Sequence, residues 1–227
     1  MAIPLHPEAR AHALLREFRA TLDDPDPWRL IPVPLDGIAA HLGWDVAYVR
    51  NLWAGGDEMA GEIAPGARIV TVSRKWPVEV QRFTLAHELG HAVLHPGVVA
   101  HRDPPMYGDE GRQCRTLSPQ EKEANRFAAE LLMPRRAVRQ YFLELFGVRS
   151  LVLSELTEDF VWHLESSRGR RSSRLGPTDM TVRDLSEVLA HAKHFQDRHF
   201  GWSLAERFQV SVLAAAIRLE ELGIVVA

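Results

Sequence analysis

Residues 78–95 read VEVQRFTLAHELGHAVLH and form the longest helical pattern in the chain. Their apolar side chains are distributed almost all the way around a helical wheel, which predicts a helix that is buried rather than amphipathic. Pro96 and Gly97 follow directly and end the helical pattern. This helix should therefore lie in the core of its domain.

The rest of the chain predicts an α+β fold that is mainly helical and contains a small three-stranded sheet. The turn signals Gly55-Gly56 and Pro65-Gly66 separate the strand candidates, and the sheet should be at least partly antiparallel. An irregular excursion is predicted for residues 97–117, which contain Pro104-Pro105, Gly108 and Gly111. The predicted strands are 44–49, 59–63 and 68–72; further helices are predicted at 8–22, 35–42 and 118–132, with a helix-turn-helix at 203–222.

Composition describes an ordinary globular protein. The chain has 227 residues, 46% hydrophobic and 25% charged, and its net charge of −3 provides no general attraction to nucleic acid or to anionic membranes. Cys114 is the only cysteine, so an intramolecular disulfide is excluded and a reducing compartment fits best. The N-terminus lacks the pattern of a signal peptide, and no run approaches the ~18 apolar residues of a membrane helix. We therefore expect a cytoplasmic protein without a membrane segment.

The long helix carries His87-Glu88-Leu-Gly-His91, a spacing that predicts a zinc site. Residues i and i+4 share one face of a helix, so both imidazoles point toward one spot, and neutral imidazole is a good zinc ligand. Glu88 is offset by about 100° around the helix, where it can act as a general base toward water at the metal. These three residues are what metal-assisted peptide hydrolysis requires. The alternative is three polar residues on a half-exposed helix face.

A catalytic zinc usually has three protein ligands, so a third is required. The extended form of the motif has a glycine three residues after the second histidine and a third histidine three residues later. It is excluded, because Leu94 and Gly97 stand at these two positions. The helix 118–132 offers Glu121, which lies near the edge of its apolar stripe, and Glu123, which lies farther toward solvent. Glu121 is the preferred ligand and Glu123 the reserve. Glu121 also has the spacing of a capping box with Ser118, in which it would bond the backbone instead.

Taken together, these motifs resemble those of the ImmA/IrrE family of metallopeptidases. The resemblance is carried by the segments Arg82–His91, Leu94-His95 and Glu121–Pro134, and it extends upstream to Pro34–Gly43 and downstream to Leu204–Ser211 and Arg218-Leu219.

The resemblance implies a zincin-like domain in which the two motif helices cross at one zinc ion per chain. It implies that His87, His91 and Glu121 are the metal ligands and that Glu88 is the general base. It also implies an intracellular regulatory protease whose protein substrate is a helix-turn-helix repressor. The resulting domain prediction is a zincin-like metallopeptidase domain with N-terminal helices at 1–164, a basic loop at 165–180 and a helical, helix-turn-helix-like region at 181–227.

Two other functions are compatible with the same sequence: a zinc-containing regulatory or binding protein without proteolytic activity, and a DNA-binding regulator. The intact Glu88 favours the enzyme, since a binding protein has no need of a general base. The second helix of the helix-turn-helix, 211–221, starts without the polar or cationic side chains that read bases or bind phosphate, which argues against direct nucleic-acid binding. The Arg168–Arg174 cluster is interpreted as a solvated loop and Cys114 as a free thiol. His95 is interpreted as a structural residue or as one that contacts a metal ligand without binding the metal itself. The oligomeric state stays open.

Overall fold

The computed structural model describes residues 6–23, 30–54, 57–95, 101–103, 118–156, 180–196 and 198–227. The chain divides into two compact units, Met1–Leu132 and Met133–Ala227. The predicted basic loop at 165–180 lies outside the described residues except for Met180. Among the helices of the described segments, none is long and apolar enough to cross a membrane.

The first unit contains the helices that the sequence predicts. The buried pattern at 78–95 forms a helix that ends one residue early, and α1 ends at Arg19 rather than at residue 22. Pro119 stands at the first position of α4, where its missing N–H costs no helical hydrogen bond. The helices are α1 (Pro7–Arg19), α2 (Leu35–His41), α3 (Val78–Leu94) and α4 (Pro119–Leu132).

A mixed four-stranded sheet supports these helices, which confirms the α+β fold class. Its strand order is β1-β5-β4-β6; β1 pairs with β5 in parallel, whereas β4 runs antiparallel to both of its neighbours. A separate antiparallel hairpin joins β2 to β3. The strands are β1 (Asp45–Val49), β2 (Leu52–Ala54), β3 (Asp57–Met59), β4 (Gly61–Ala64), β5 (Ile69–Ser73) and β6 (His101–Asp103).

The sheet differs from the predicted one in two respects. The run 59–63 is divided at Ala60 between the hairpin and the main sheet, and the Ala60 carbonyl accepts a hydrogen bond from the Ser73 amide. A fourth strand, β6, lies within the segment predicted to be irregular. Its three residues, His-Arg-Asp, show no apolar alternation, and they are held in the sheet by backbone pairing with β4, which the sequence does not reveal.

The core of the first unit lies between the sheet and the two motif helices. Helix α3 packs on β4 and β5, and it contacts α4 along much of its length, with α1 against α4. All side chains from Thr84 to His91 are buried, as the apolar distribution on α3 predicts. The sheet and helices contribute the core side chains Ile63, Val70, Val72, Leu85, Leu89, Phe127 and Leu131, none more than 3% exposed.

The second unit is a helical cluster with short two-stranded pairings, and it contains the predicted helix-turn-helix. Ser203 and Glu206 form a reciprocal capping box at the start of α7, and Gln209 turns the chain with a left-handed φ of 51° before Ser211 caps α8. The elements are α5 (Arg135–Phe146), β7 (Leu151–Val152), α6 (Val182–His191), β8 (His194–Phe195), β9 (Arg198–His199), α7 (Leu204–Phe208), α8 (Val212–Glu221) and β10 (Val225–Val226).

Candidate metal centre

Helix α3 places His87, Glu88 and His91 in the interior of the first unit. Their exposed fractions are 4%, 0% and 2%, so these residues do not lie on a half-exposed polar face. Because burial of titratable groups is costly without interactions that compensate, this arrangement makes the three residues a candidate functional site. The two imidazoles meet as the i,i+4 spacing predicts, with their Nε2 atoms 2.9 Å apart.

Helix α4 brings Glu121 to this pair of histidines. One carboxylate oxygen of Glu121 lies 3.2 Å from Nε2 of His87 and the other lies 3.5 Å from Nε2 of His91. Ser118 still caps the helix, because its hydroxyl accepts a hydrogen bond from the Glu121 backbone amide at 3.2 Å. The carboxylate itself therefore faces the histidines, while the main chain of the same residue makes the capping bond.

The ionisation of Glu121 reflects this position. Hydrogen bonds with His87 and then His91 hold the pKa of the Glu121 carboxyl well below its usual range, against the opposing effect of burial. Because the folded-state pKa is lowered, these contacts stabilise the folded metal-free chain above the unfolded-state pKa. That stabilisation is lost as the pH falls toward the folded-state pKa.

Glu123, the reserve ligand, lies at a different position. Its carboxylate is 3.5 Å from Nε2 of His95, one helical turn beyond His91, and its side chain is about half exposed. The described residues contain one group of three or more side chains with metal-ligand spacing, and it consists of His87, His91 and Glu121, whose ligand atoms lie within 4.8 Å of one another. His95 and Glu123 do not belong to this group.

The donor set fits a divalent metal ion. Donors at about 2.0–2.2 Å from a tetrahedral ion are separated from one another by about 3.4 Å. The two Nε2 atoms are 2.9 Å apart, and they lie 3.2 and 3.5 Å from the two different carboxylate oxygens of Glu121, each within about 0.5 Å of that value. Two imidazole nitrogens and one carboxylate oxygen are also the donor types of a catalytic site with one open coordination position. His87, His91 and Glu121 could therefore hold the ion with small movements of their side chains.

A glycine in the motif allows the two helices to approach closely enough to form this group. A Cβ atom built on Gly90 would lie 3.2 Å from the backbone Cα of Ala124 and 3.2 Å from the ring of Phe127. The backbone of α4 thus passes directly over Gly90, and Ala124 itself is fully buried. The role of Gly90 was missed in the sequence, although small residues at the crossing point of two helices are a recognisable signal.

We expect Gly90→Val to move α4 away from α3, because the added methyl groups would meet the main chain of Ala124 rather than a side chain that can rotate. Overpacking of this kind typically costs about 1–3 kcal/mol of unfolding free energy. Urea denaturation of the metal-free protein measures the cost, and Gly66→Val is the control because open space surrounds Gly66. Equal stability of the two variants would contradict a tight crossing at Gly90.

Strand β4 passes equally close to the carboxylate of Glu88. A Cβ atom on Gly61 would lie 2.3 Å from Cγ2 of Thr84 and 3.2 Å from Oε1 of Glu88. The absence of a side chain at Gly61 therefore allows the strand to lie against the helix where Glu88 is buried. A glycine inside a strand often marks such a close backbone approach, and this was the available sequence signal.

Gly61→Ala should lower the unfolding free energy by about 1–3 kcal/mol, since the new methyl group collides with Thr84 in a packed interior. Adding Thr84→Ser removes the Cγ2 atom and should restore a large part of the loss. Denaturant titration of the single and double variants, with Gly66→Ala as the control, measures both effects. Failure of Thr84→Ser to restore stability would show that the strain lies elsewhere.

A further polar contact connects α4 to the first histidine. Oδ1 of Asn125 lies 2.8 Å from Nδ1 of His87, whereas the other ring nitrogen, Nε2, faces His91 and Glu121. On a helical wheel Asn125 lies in line with Glu121, but the wheel by itself indicates no role for it. A polar residue one turn after a proposed ligand was the signal that could have identified it.

Other residues considered from the sequence lie outside this group or outside the described residues. Cys114 and the Arg168–Arg174 cluster fall on residues that the structure does not describe.

A known protein family matches the part of the chain that contains this group. Residues 43–165, more than half of the chain, match the profile of a peptidase family described as the IrrE N-terminal-like domain. No match is found among curated proteins. The matched segment includes α3, α4 and all the residues of the candidate metal centre. The resemblance noted in the sequence is thereby confirmed, and the chain belongs to the IrrE N-terminal-like peptidase family.

Proposed function

We propose that this protein is a zinc-dependent metalloendopeptidase that cleaves a peptide bond in a regulatory protein partner, a helix-turn-helix transcriptional repressor. The observation that carries the proposal is the buried group of His87, His91 and Glu121 with Glu88 beside it, in a member of a peptidase family. The family supports a metallopeptidase-type activity in general. The metal, the roles of the residues and the substrate are the proposed parts.

Zinc is the metal that suits these donors. Two imidazoles and one carboxylate form a set of borderline and hard ligands, without the all-oxygen environment that calcium and magnesium prefer. Three protein ligands leave one position open for water or substrate, as in catalytic zinc sites. We therefore assign one zinc ion per chain to His87, His91 and Glu121.

Zinc, when bound, supplies Lewis acidity and makes water a stronger acid near neutral pH. The protein's own contribution begins with Glu88, which adjoins His87 in the chain and is fully buried. Its carboxylate accepts the proton of the attacking water, and it then donates that proton to the amine that leaves the broken peptide bond. Burial beside the backbone of Gly61 keeps this carboxylate at one place and limits the access of bulk water.

The proposed substrate rests on the resemblance of the motifs to ImmA/IrrE metallopeptidases, which implies a repressor as the partner. A cytoplasmic location is part of the same proposal, and the single cysteine is compatible with it. Direct DNA binding is not proposed. The first turn of α8 contains Val212, Leu213 and Ala214, which offer neither base-reading groups nor cations.

The function is tested by incubating the zinc-loaded protein with a candidate helix-turn-helix repressor, such as one encoded beside its gene, and with unfolded casein as a second substrate. Mass spectrometry of the fragments should show a cut in the repressor that disappears after chelation and returns with zinc. Cleavage of casein alone would contradict the proposed substrate. Absence of both cleavages would contradict the peptidase, and salt-dependent binding to duplex DNA would favour a regulator instead.

A further inference from the structure

Asn125 and Glu121 contact opposite ends of one imidazole ring. Oδ1 of Asn125 lies 2.8 Å from Nδ1 of His87, and a carboxylate oxygen of Glu121 lies 3.2 Å from Nε2 of the same ring. Both residues belong to α4 and are four positions apart, so they share one face of that helix. Helix α4 therefore holds His87 at both ring nitrogens.

We propose that Asn125 is a positioning residue that fixes the tautomer and the orientation of His87, so that the lone pair of Nε2 is directed at the metal. The inference rests on the proposed function because it assigns His87 as a ligand. It goes beyond that function by naming a residue, outside the donor group, on which metal affinity depends.

The chemistry of the contact determines the direction of the hydrogen bond. A neutral imidazole carries a proton on one nitrogen and a lone pair on the other, and an amide oxygen can only accept. A hydrogen bond from Nδ1 of His87 to Oδ1 of Asn125 therefore requires the proton on Nδ1. In the neutral ring that binds a metal, the lone pair is then on Nε2, which is the atom 2.9 Å from Nε2 of His91 and within reach of Glu121.

The same bond also fixes the ring plane. His87 is 4% exposed, so water competes little for Nδ1, and its ring is further bounded by the rings of Phe83 and His91. A hydrogen bond in such a site limits rotation about the side-chain torsions of the histidine. Hydrogen bonds of this kind, made to a metal ligand by a residue that does not itself bind the metal, typically contribute about 10–100-fold to metal affinity.

Three variants separate the hydrogen bond from other effects of Asn125. Asn125→Leu keeps the approximate size and removes the acceptor, whereas Asn125→Asp keeps an acceptor oxygen at the same distance along the side chain. Arg126→Gln is the matched control, because Arg126 is the next residue on α4 and its side chain is about half exposed and paired with Glu8. Zinc dissociation constants are measured by competition with a chromogenic chelator, without any peptidase assay.

We expect Asn125→Leu to weaken zinc binding by about 10–100-fold, while Asn125→Asp and Arg126→Gln stay within a few-fold of the parent. In the metal-free parent, ¹⁵N chemical shifts of the His87 ring, assigned with His87→Gln, should show a proton on Nδ1. Unchanged affinity in Asn125→Leu, equal losses in the leucine and aspartate variants, or an Nδ1 without a proton in the parent would each overturn the inference.

These readouts also distinguish the two proposals. Failure of the parent to bind zinc would contradict the proposed function, and the tautomer measurement on metal-free protein would still decide the role of Asn125. If Asn125→Leu does not fold, the parent tautomer and the affinity of Asn125→Asp carry the test. Loss of zinc binding in Asn125→Asp comparable to that of a ligand variant would overturn the inference.

Discussion

Glu88→Gln is expected to lower peptide hydrolysis by about 10²–10⁴-fold while the protein still binds one zinc ion per chain. Glutamine has nearly the same size as glutamate, and Glu88 is fully buried, so the substitution should preserve the packing against β4. The amide cannot accept the proton of the attacking water at neutral pH. The measurement is the initial rate on any polypeptide that the parent cleaves, together with the zinc content of the purified variant.

The control for this experiment is Glu79→Gln, the same substitution in the first turn of the same helix. It should leave both rate and zinc content near those of the parent. A Glu88→Gln variant that cleaves within about tenfold of the parent rate would contradict its role as general base. A variant that loses its zinc would instead place Glu88 in metal binding rather than in proton transfer.

Glu121→Ala is expected to weaken zinc binding by more than about 100-fold, because it removes one of three protein ligands. Loss of a hydrogen bond to a ligand, by comparison, typically weakens binding by about 10–100-fold. The carboxylate contacts both histidines, so its removal leaves two neutral donors and a site without compensating charge. Peptide hydrolysis should fall with zinc occupancy. Chelator competition measures the affinity, and the rate is compared at equal zinc occupancy wherever that can be reached.

Glu123→Ala is the matched control, since it removes the same group two positions along α4. Glu123 lies beside His95 and outside the donor group, so zinc affinity should change by only a few-fold. The opposite result, with full zinc in Glu121→Ala and loss in Glu123→Ala, would show that the third ligand had been assigned to the wrong carboxylate.

Local periodicity explains how much of this site could be predicted. The spacing of His87 and His91 follows from the pitch of a helix, and the apolar distribution over residues 78–95 predicts both that helix and its burial. A helical wheel of residues 118–132 likewise favoured Glu121 over Glu123 as a ligand, because residues at the edge of an apolar stripe border the neighbouring element. These inferences need only the geometry of a single helix.

Contacts between elements were not predictable in the same way. Strand β6 forms through backbone pairing with β4 and has no pattern of its own. The close approaches at Gly90 and Gly61 depend on which main chain passes over each glycine, and sequence spacing does not specify this. The wheel could place Asn125 in line with Glu121, but it could not show that a ring nitrogen of His87 lies 2.8 Å away.

The amino-acid sequence by itself determined that one buried helix carries two histidines and a glutamate on adjoining faces, since those relations follow from helical repeat and burial alone. Only the tertiary structure decided which carboxylate joins them, because that depends on where α4 crosses α3. The crossing is set at Gly90 and Ala124, where two backbones meet without intervening side chains, and the same crossing brings Glu121 and Asn125 to the two nitrogens of His87.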